Sequence, residues 1–229
     1  VEAARLAEAG FTASESALEA EFGGLFDLFE GDPPHETGDV FETLDSRWWL
    51  VDPPTGFKPW PCCGSTFAAV DAALDLHEAD FDVADVRSVT VTEHPQRLDH
   101  TDRPNPTTGL EGKFSVQYCV AIALANGDVW LDDFTDRAVR DGPRDLLDRV
   151  DPVADPDAVP NDRSATLAVE LADGDVVEHT VERPYGSPQK PMSDDDIDEK
   201  YRRCAGYALD DDAVAASLSM IRDVAAVDD

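Results

Sequence analysis

The stretch Gly56-Phe57-Lys58-Pro59-Trp60-Pro61-Cys62-Cys63-Gly64-Ser65-Thr66-Phe67-Ala68-Ala69-Val70-Asp71 changes backbone regime midway. Pro59 and Pro61 fix φ and push the residues before them out of the helical region, so the first half is a stiff, extended run. Gly64, Ser65 and Thr66 are good residues for starting a helix, and Phe67, Val70, Leu74 and His77 then share one helical face. An extended run that feeds an apolar helix predicts a mixed α and β module. The same order gives the stretch its chemical interest. Lys58 stands a few residues ahead of a helix N-terminus, which sets an ammonium near backbone N–H groups that lack intrahelical partners. Such a place suits a carboxylate or a phosphate. On spacing alone the alternative stays open: a surface lysine ahead of an ordinary core helix.

Toward the N-terminus, residues 1–9 read as the tail of a helix closed by Gly10. Thr12 or Ser14 can cap a second one that carries Leu18, Phe22, Leu25 and Phe29. The chain opens inside a helical pattern, at Val1 and not at Met, which suggests a piece of a longer polypeptide. Residues 32–46 form a polar connector, and Trp48-Trp49-Leu50-Val51 reads as a short strand ending at Pro53-Pro54.

Toward the C-terminus, residues 83–91 alternate, with Val86, Ser88 and Thr90 against Arg87, Val89 and Val91, as a strand would. Residues 96–107 are polar and proline-punctuated, which predicts a loop. Thr108-Gly109-Leu110-Glu111 has capping-box spacing. The helix it opens is apolar almost all round, with Phe114, Tyr118, Ala121, Ile122 and Ala125 on one side and Val116, Val120 and Leu124 on the other. Burial of that helix makes Lys113, Gln117 and Tyr118 conspicuous. Val129-Trp130-Leu131 is strand-like, a helix is expected around 144–149, and 151–162 is a connector. Residues 165–171 and 175–181 alternate as strands on either side of the turn signal Ala172-Asp173-Gly174. Ser193 opens a helix with acids in its first turn, and Asp210-Asp211-Asp212 opens a last one with Val214, Leu218, Ile221 and Ala225 as its stripe. The block order predicts the α+β class: a helical-domain fragment at 1–46, an α+β lid domain at 47–188, and C-terminal helices at 189–229 that return to the helical domain.

Charge dominates the composition, with 50 Asp and Glu against 18 Lys and Arg, a formal net of −32. Spread over a folded surface, that excess is one negative charge per about 300 Å². The screening length is about 8 Å at physiological salt and about 3 Å at 1 M, so such a surface repels itself in dilute buffer and is quiet in molar salt. Acid-rich, lysine-poor surfaces of this kind resemble those of halophilic proteins. Nucleic acid and anionic membranes are poor partners for the field. Only Lys58, Lys113, Lys190 and Lys200 survive as lysines, which raises interest in each. The four cysteines, Cys62, Cys63, Cys119 and Cys204, form no CxxC, and the five His are scattered. That usage predicts buried thiols in a reducing cytoplasm, with no zinc or iron–sulfur site. No apolar run approaches the roughly 18 residues of a membrane span, so a soluble protein is expected.

Several stretches together resemble the MmgE/PrpD family, which includes 2-methylcitrate dehydratase, cis-aconitate decarboxylase and iminodisuccinate epimerase. They are Gly10-Phe11-Thr12 with Leu18-Glu19, Phe57-Lys58-Pro59-Trp60-Pro61-Cys62-Cys63 with Ala69-Val70-Asp71-Ala72, and Thr108-Gly109-Leu110-Glu111-Gly112-Lys113-Phe114-Ser115-Val116-Gln117-Tyr118. Shorter matches follow at Phe134-Thr135-Asp136 and Pro191-Met192-Ser193. The resemblance covers the whole chain and corresponds to the C-terminal half of the family. It implies a helical domain with an α+β lid, a homodimer, and chemistry on a di- or tricarboxylate without metal or organic cofactor. It also implies that Lys58 occupies an active-site lysine position, Tyr118 a tyrosine near the substrate, and Lys113 a commonly basic position. Phe67 departs from the pattern, since many members carry a histidine there. The family's aspartate and histidine candidates fall in the half that precedes this one.

The reaction so implied is a dehydratase-like lyase or isomerase step, by proton transfer α to a carboxylate. Lys58 and Tyr118 are its catalytic candidates, and Lys113 with Cys63, Gly64 and Ser65 would contact substrate. Backbone amides and an ammonium aimed at a substrate carboxylate would stabilise the charge that builds there. The rival reading is a carboxylate-binding or dimerisation module that catalyses nothing.

Overall fold

The computed structural model describes residues 2–14, 46, 55–159 and 162–224. Two compact units divide the chain, Val1–Pro54 and Thr55–Asp229. In the first, helix α1 (Glu2–Glu8) ends where Gly10 takes a φ of 86°. The amides of Gly10 and Phe11 then bond back to the carbonyls of Ala7 and Leu6, at 3.0 and 2.9 Å, a Schellman closure that needs the left-handed glycine. The expected helix carrying Leu18 to Phe29, the connector apart from Ser46, and the strand at 48–51 lie outside the described residues.

The second unit is built on four strands: β1 (Val86–Glu93), β2 (Val150–Ala154), β3 (Ala165–Leu171) and β4 (Val176–Val181). Their spatial order is β2-β1-β3-β4, with β1 parallel to β2 and the other pairs antiparallel. Helix α2 (Phe67–His77) precedes the sheet in the chain. The crossover from β1 to β2 carries α3 (Pro95–Thr101), α4 (Gly109–Lys113), α5 (Val116–Asn126), α6 (Asp136–Asp141) and α7 (Arg144–Leu147). After β4 come α8 (Asp194–Ala205) and α9 (Asp211–Arg222). This is an α+β arrangement. The core lies where α2 and α5 pack on each other and on the sheet. Every residue of 116–124 is buried, as an all-round apolar helix requires.

Four local expectations are corrected. Strict alternation in β1 would set Val86 on the opposite face from Val89 and Val91, yet all three are buried. A register irregularity between Val86 and Ser88 adds one residue against β3 and flips the phase. The expected loop after β1 begins with α3: His94 Nδ1 accepts from the Gln96 amide at 3.2 Å, and Pro95 occupies the first turn, where its missing N–H is harmless. The helix opened by Thr108 does have its capping box, but it stops at Phe114, and Ser115 caps a second helix by accepting from the Tyr118 amide at 3.0 Å. Residues 131–134 form a 3₁₀ turn in place of the expected short strand, because Asp133 Oδ2 accepts from the Trp130 amide at 2.7 Å.

In the C-terminal helices Ser193 and Asp210 cap as expected. Val214 and Leu218 are buried, Ile221 is exposed, and Ala225 lies outside the described residues.

Candidate functional site

Lys58 is placed by a loop far away in sequence. The amide of Phe57 donates to the carbonyl of Gly186 at 2.9 Å. Gly186 has a φ of 81°, and a Cβ there would lie 2.2 Å from the Phe57 carbonyl oxygen, so the approach requires glycine. That loop is held in turn by buried Asp71 on α2, whose Oδ2 accepts from the Tyr185 amide and from Lys190 Nζ, each at 2.9 Å. Trp60 fills the space between, edge-on to Phe67 at 5.5 Å and tilted against Tyr185 at 6.4 Å. The lysine emerges exposed. Its Nζ donates to the Cys62 carbonyl at 3.4 Å and stands 5.8 Å from the Phe67 ring centroid, and its own carbonyl accepts from Lys200 Nζ.

The turn then enters α2. Thr66 supplies the first bonded amide, to the Cys63 carbonyl at 3.0 Å. The amide of Cys63 is already taken, donating to the Lys113 carbonyl at 2.8 Å. Of the three positions expected to offer backbone donors, Gly64 and Ser65 therefore remain. Below them Cys62 is buried, with Thr66 Oγ1 3.3 Å from its sulfur. A hydrogen bond from Cys119 holds the Cys62 thiol below its ordinary pKa against the effect of burial, while burial pushes the Cys119 thiol up.

Gly64 and Ser65 form one side of a cavity of about 420 Å³, together with Cys63. The rest of the lining is mixed in charge: His94, Gln96 and Arg97 come from the start of α3, and Asp162 and Arg163 from the segment leading to β3. The Asp162 carboxyl is held by the Ser164 amide and hydroxyl, each at 2.9 Å. Arg97 Nη2 donates to the Asp162 carbonyl at 2.7 Å, and Nη1 reaches the Ser65 carbonyl at 3.5 Å. Burial pushes its guanidinium pKa down, partly offset by the nearby Glu93. His100 Nε2 lies 3.0 Å from Ser65 Oγ and tethers α3 to the turn. Two arginines border the same cavity as Gly64 and Ser65, whose amides have no acceptor among the described residues, and such groups are able to bind a carboxylate.

Tyr118 lies elsewhere. Its ring borders a second cavity of about 500 Å³ with Asp133, Gly142 and Pro143. The hydroxyl donates to the Asp133 carbonyl at 2.6 Å, and the ring meets Phe134 edge-on at 5.9 Å. Burial, then the charge of Asp133, raises the phenol's pKa. Lys113 Nζ stands 5.9 Å from the Phe134 centroid. The structure thus sets Cys63, Gly64 and Ser65 at the cavity, leaves Lys58 at the start of the same turn but outside the cavity's lining, ties Lys113 to the turn through the backbone, and sets Tyr118 apart. Sequence reasoning missed His94, Arg97, His100 and Arg163. The signal for the first three was Pro95, a residue suited to the first turn of a helix.

Comparison with known proteins agrees with this architecture. The profile described as the MmgE/PrpD C-terminal domain matches residues 60–225. The chain belongs to the MmgE/PrpD family. It is 27% identical to human cis-aconitate decarboxylase over 242 residues, covering 100% of this chain and 48% of the human protein. It is 28% identical to cis-aconitate decarboxylase of Aspergillus terreus, covering 91% of this chain and 46% of that protein. It is also 28% identical to 2-methylcitrate dehydratase of Cupriavidus necator, covering 83% of this chain and 41% of that one. The chain therefore spans about half the length of the curated relatives it matches. Among the described residues, no three His, Cys, Asp or Glu side chains are grouped so as to hold a metal ion, and no helix is long and apolar enough to cross a membrane.

Proposed function

We propose that this chain supplies the carboxylate-binding wall of a lyase of the MmgE/PrpD type, acting on a di- or tricarboxylate without a metal or organic cofactor. The observation that carries the reading is that Arg97, Arg163, Gly64 and Ser65 line one cavity, in a family with decarboxylase and dehydratase members. Arg97 and Arg163 hold substrate carboxylates, and Lys58, on the same turn as the amides, neutralises a further one. Removing a proton α to a carboxylate piles negative charge onto an anionic group, and the Gly64 and Ser65 amides stabilise that charge as it forms. Lys113 is a second cation behind the turn. Tyr118, with its proton committed to a backbone carbonyl, is a neutral hydrogen-bonding group beside the second cavity. The group that moves the proton belongs to the part of the family fold that this chain does not match, so the chain alone binds and does not turn over.

The test is calorimetric titration of the chain in molar KCl with tricarballylate, an unreactive tricarboxylate. Loss of binding in the double variant Arg97→Gln/Arg163→Gln is expected, and unchanged affinity there rejects the reading. Proton NMR in D₂O with a panel of di- and tricarboxylates, on a polypeptide of full family length, then separates the reactions. Loss of water marks a dehydratase, loss of CO₂ a decarboxylase, and exchange at an α-carbon without net loss an epimerase. Binding with no change in any acid would favour the non-catalytic module.

A further inference from the structure

Glu93 is the last residue of β1 and lies on the helix-facing side of the sheet with Val89 and Val91. It is 1% exposed, and neither carboxyl oxygen has a hydrogen-bond partner among the described residues. Its ladder neighbours are Ala154 on β2 and Ala165 on β3, small side chains that carry no charge. A carboxylate buried with no donor is strongly disfavoured against the neutral acid, so the group holds its proton. Consistent with that, burial pushes its pKa up to about 8, with the charge of Arg97 opposing.

Arg97 stands four residues on, in the first turn of α3, and is a cationic wall of the carboxylate cavity. The other ionisable groups around this pair are Arg163 and Asp162 from the segment before β3, Cys63 from the turn before α2, and His94 at the N-cap of α3. Nothing in the assigned chemistry uses Glu93. An unpaired buried acid next to a binding arginine nonetheless has a direct electrostatic effect. As a neutral acid it leaves the guanidinium's charge to whatever enters the cavity. As a carboxylate it competes for that charge and repels an incoming anion.

We propose that Glu93 is a positioning residue for Arg97, one that sets, by keeping or losing its proton, how strongly the cavity holds a carboxylate ligand. The inference rests on the reading of the cavity as a carboxylate site. Linkage then requires the reciprocal effect: a bound carboxylate makes Glu93 hold its proton more tightly.

Calorimetric titration of the chain with tricarballylate tests both directions. Affinity of the unmodified chain should fall about tenfold between about pH 7 and about pH 9, whereas Glu93→Gln should bind with a flat profile across that interval. Effects of pH on the rest of the chain are common to both proteins and cancel in the comparison. If Glu93→Gln does not fold, carbon-13 NMR of the unmodified chain follows the Glu93 carboxyl directly, and its midpoint should rise on saturation with tricarballylate. Identical pH profiles in the two proteins, or a Glu93 midpoint indifferent to the ligand, overturn the role of Glu93 and leave the carboxylate site standing. Failure of tricarballylate to bind at any pH overturns the site, and the role of Glu93 falls with it.

Discussion

The backbone amide of Cys63 donates to the carbonyl of Lys113 at 2.8 Å. This one bond fastens the turn ahead of α2 to the end of α4. It decides which donors the turn can offer, because it removes the Cys63 amide and leaves those of Gly64 and Ser65. The loop around Gly186, held by Asp71 on α2, fixes the other end, so the turn from Lys58 to the two amides is held from both sides.

Lys58→Ala should weaken binding of tricarballylate without unfolding the protein. The side chain is exposed and makes one long bond, to the Cys62 carbonyl at 3.4 Å, so little packing is lost. A charge-assisted contact to a carboxylate is worth about 1.5–3 kcal/mol, which corresponds to a drop of about 10- to 100-fold in affinity. Calorimetry gives the affinity and a thermal melt the stability. Equal affinity, or a large fall in Tm, contradicts the role given to Lys58.

Two glycines in the same region should respond in opposite ways. A Cβ on Gly109 would lie 1.8 Å from the Phe134 carbonyl oxygen, whereas one on Gly64 would meet nothing within 4 Å. Gly109 also donates its amide to Asp136 Oδ1 at 2.8 Å, so its backbone cannot easily retreat. Gly109→Ala should destabilise by about 3 kcal/mol, at the upper end of ordinary overpacking. Gly64→Ala should leave the denaturant midpoint within experimental scatter. Chemical denaturation of both variants checks the contrast, and similar midpoints would count against the packing described.

Glu93 should leave a signature in stability as well as in binding. Its folded-state pKa, about 8, is raised above that of an unfolded glutamate, about 4.3, so the folded state binds the extra proton. The stabilisation is fully present below the unfolded value and is lost as pH rises through the folded one. At pH 7 the buried acid therefore makes the fold less stable, relative to low pH, by about 3 kcal/mol. Glu93→Gln should gain on the unmodified chain steadily between about pH 4.5 and about pH 8. Comparing the two proteins at each pH cancels the background of the other acids. Parallel stability curves would show that Glu93 does not titrate in this interval.

The thiols should separate by burial. Cys204 is exposed, Cys63 is half-buried, and Cys62 and Cys119 are buried. An aromatic disulfide reagent added to the native chain should modify Cys204 first and Cys63 more slowly. Cys62 and Cys119 should react at the rate of unfolding, since a reagent must reach the sulfur. Mass spectrometry of a time course reads the order. Early modification of Cys119 would contradict its buried place on α5, against Cys62.

Where a single local rule governed, sequence and structure agree. Thr108 and Glu111 form the capping box, Gly174 turns the β3–β4 hairpin with a φ of 96°, and the all-apolar run of α5 is buried. Where two local rules competed, the reading went wrong. Ser115 falls inside a helical pattern that continues on both sides, and there it caps α5 by accepting from the Tyr118 amide, which ends α4. Alternation in β1 failed at Val86 because a bulge is a property of the pairing with β3, and neither strand shows it alone.

The amino-acid sequence by itself determined the secondary elements around the site: the proline-stiffened approach of Lys58, the helix start after Cys63, and the capping box that opens a helix at Thr108. Proline geometry, capping and side-chain periodicity act over a few residues, so the order of residues suffices to express them. Only the tertiary structure decided that Gly64 and Ser65 face Arg97 and Arg163, that Tyr118 stands at a different cavity, and that Glu93 is buried without a partner. Those relations depend on which strands pair and how α2, α3 and the segment before β3 meet at one end of the sheet. A lone arginine in a polar run carries no mark of the cavity it will line, because its partners come from segments tens of residues away.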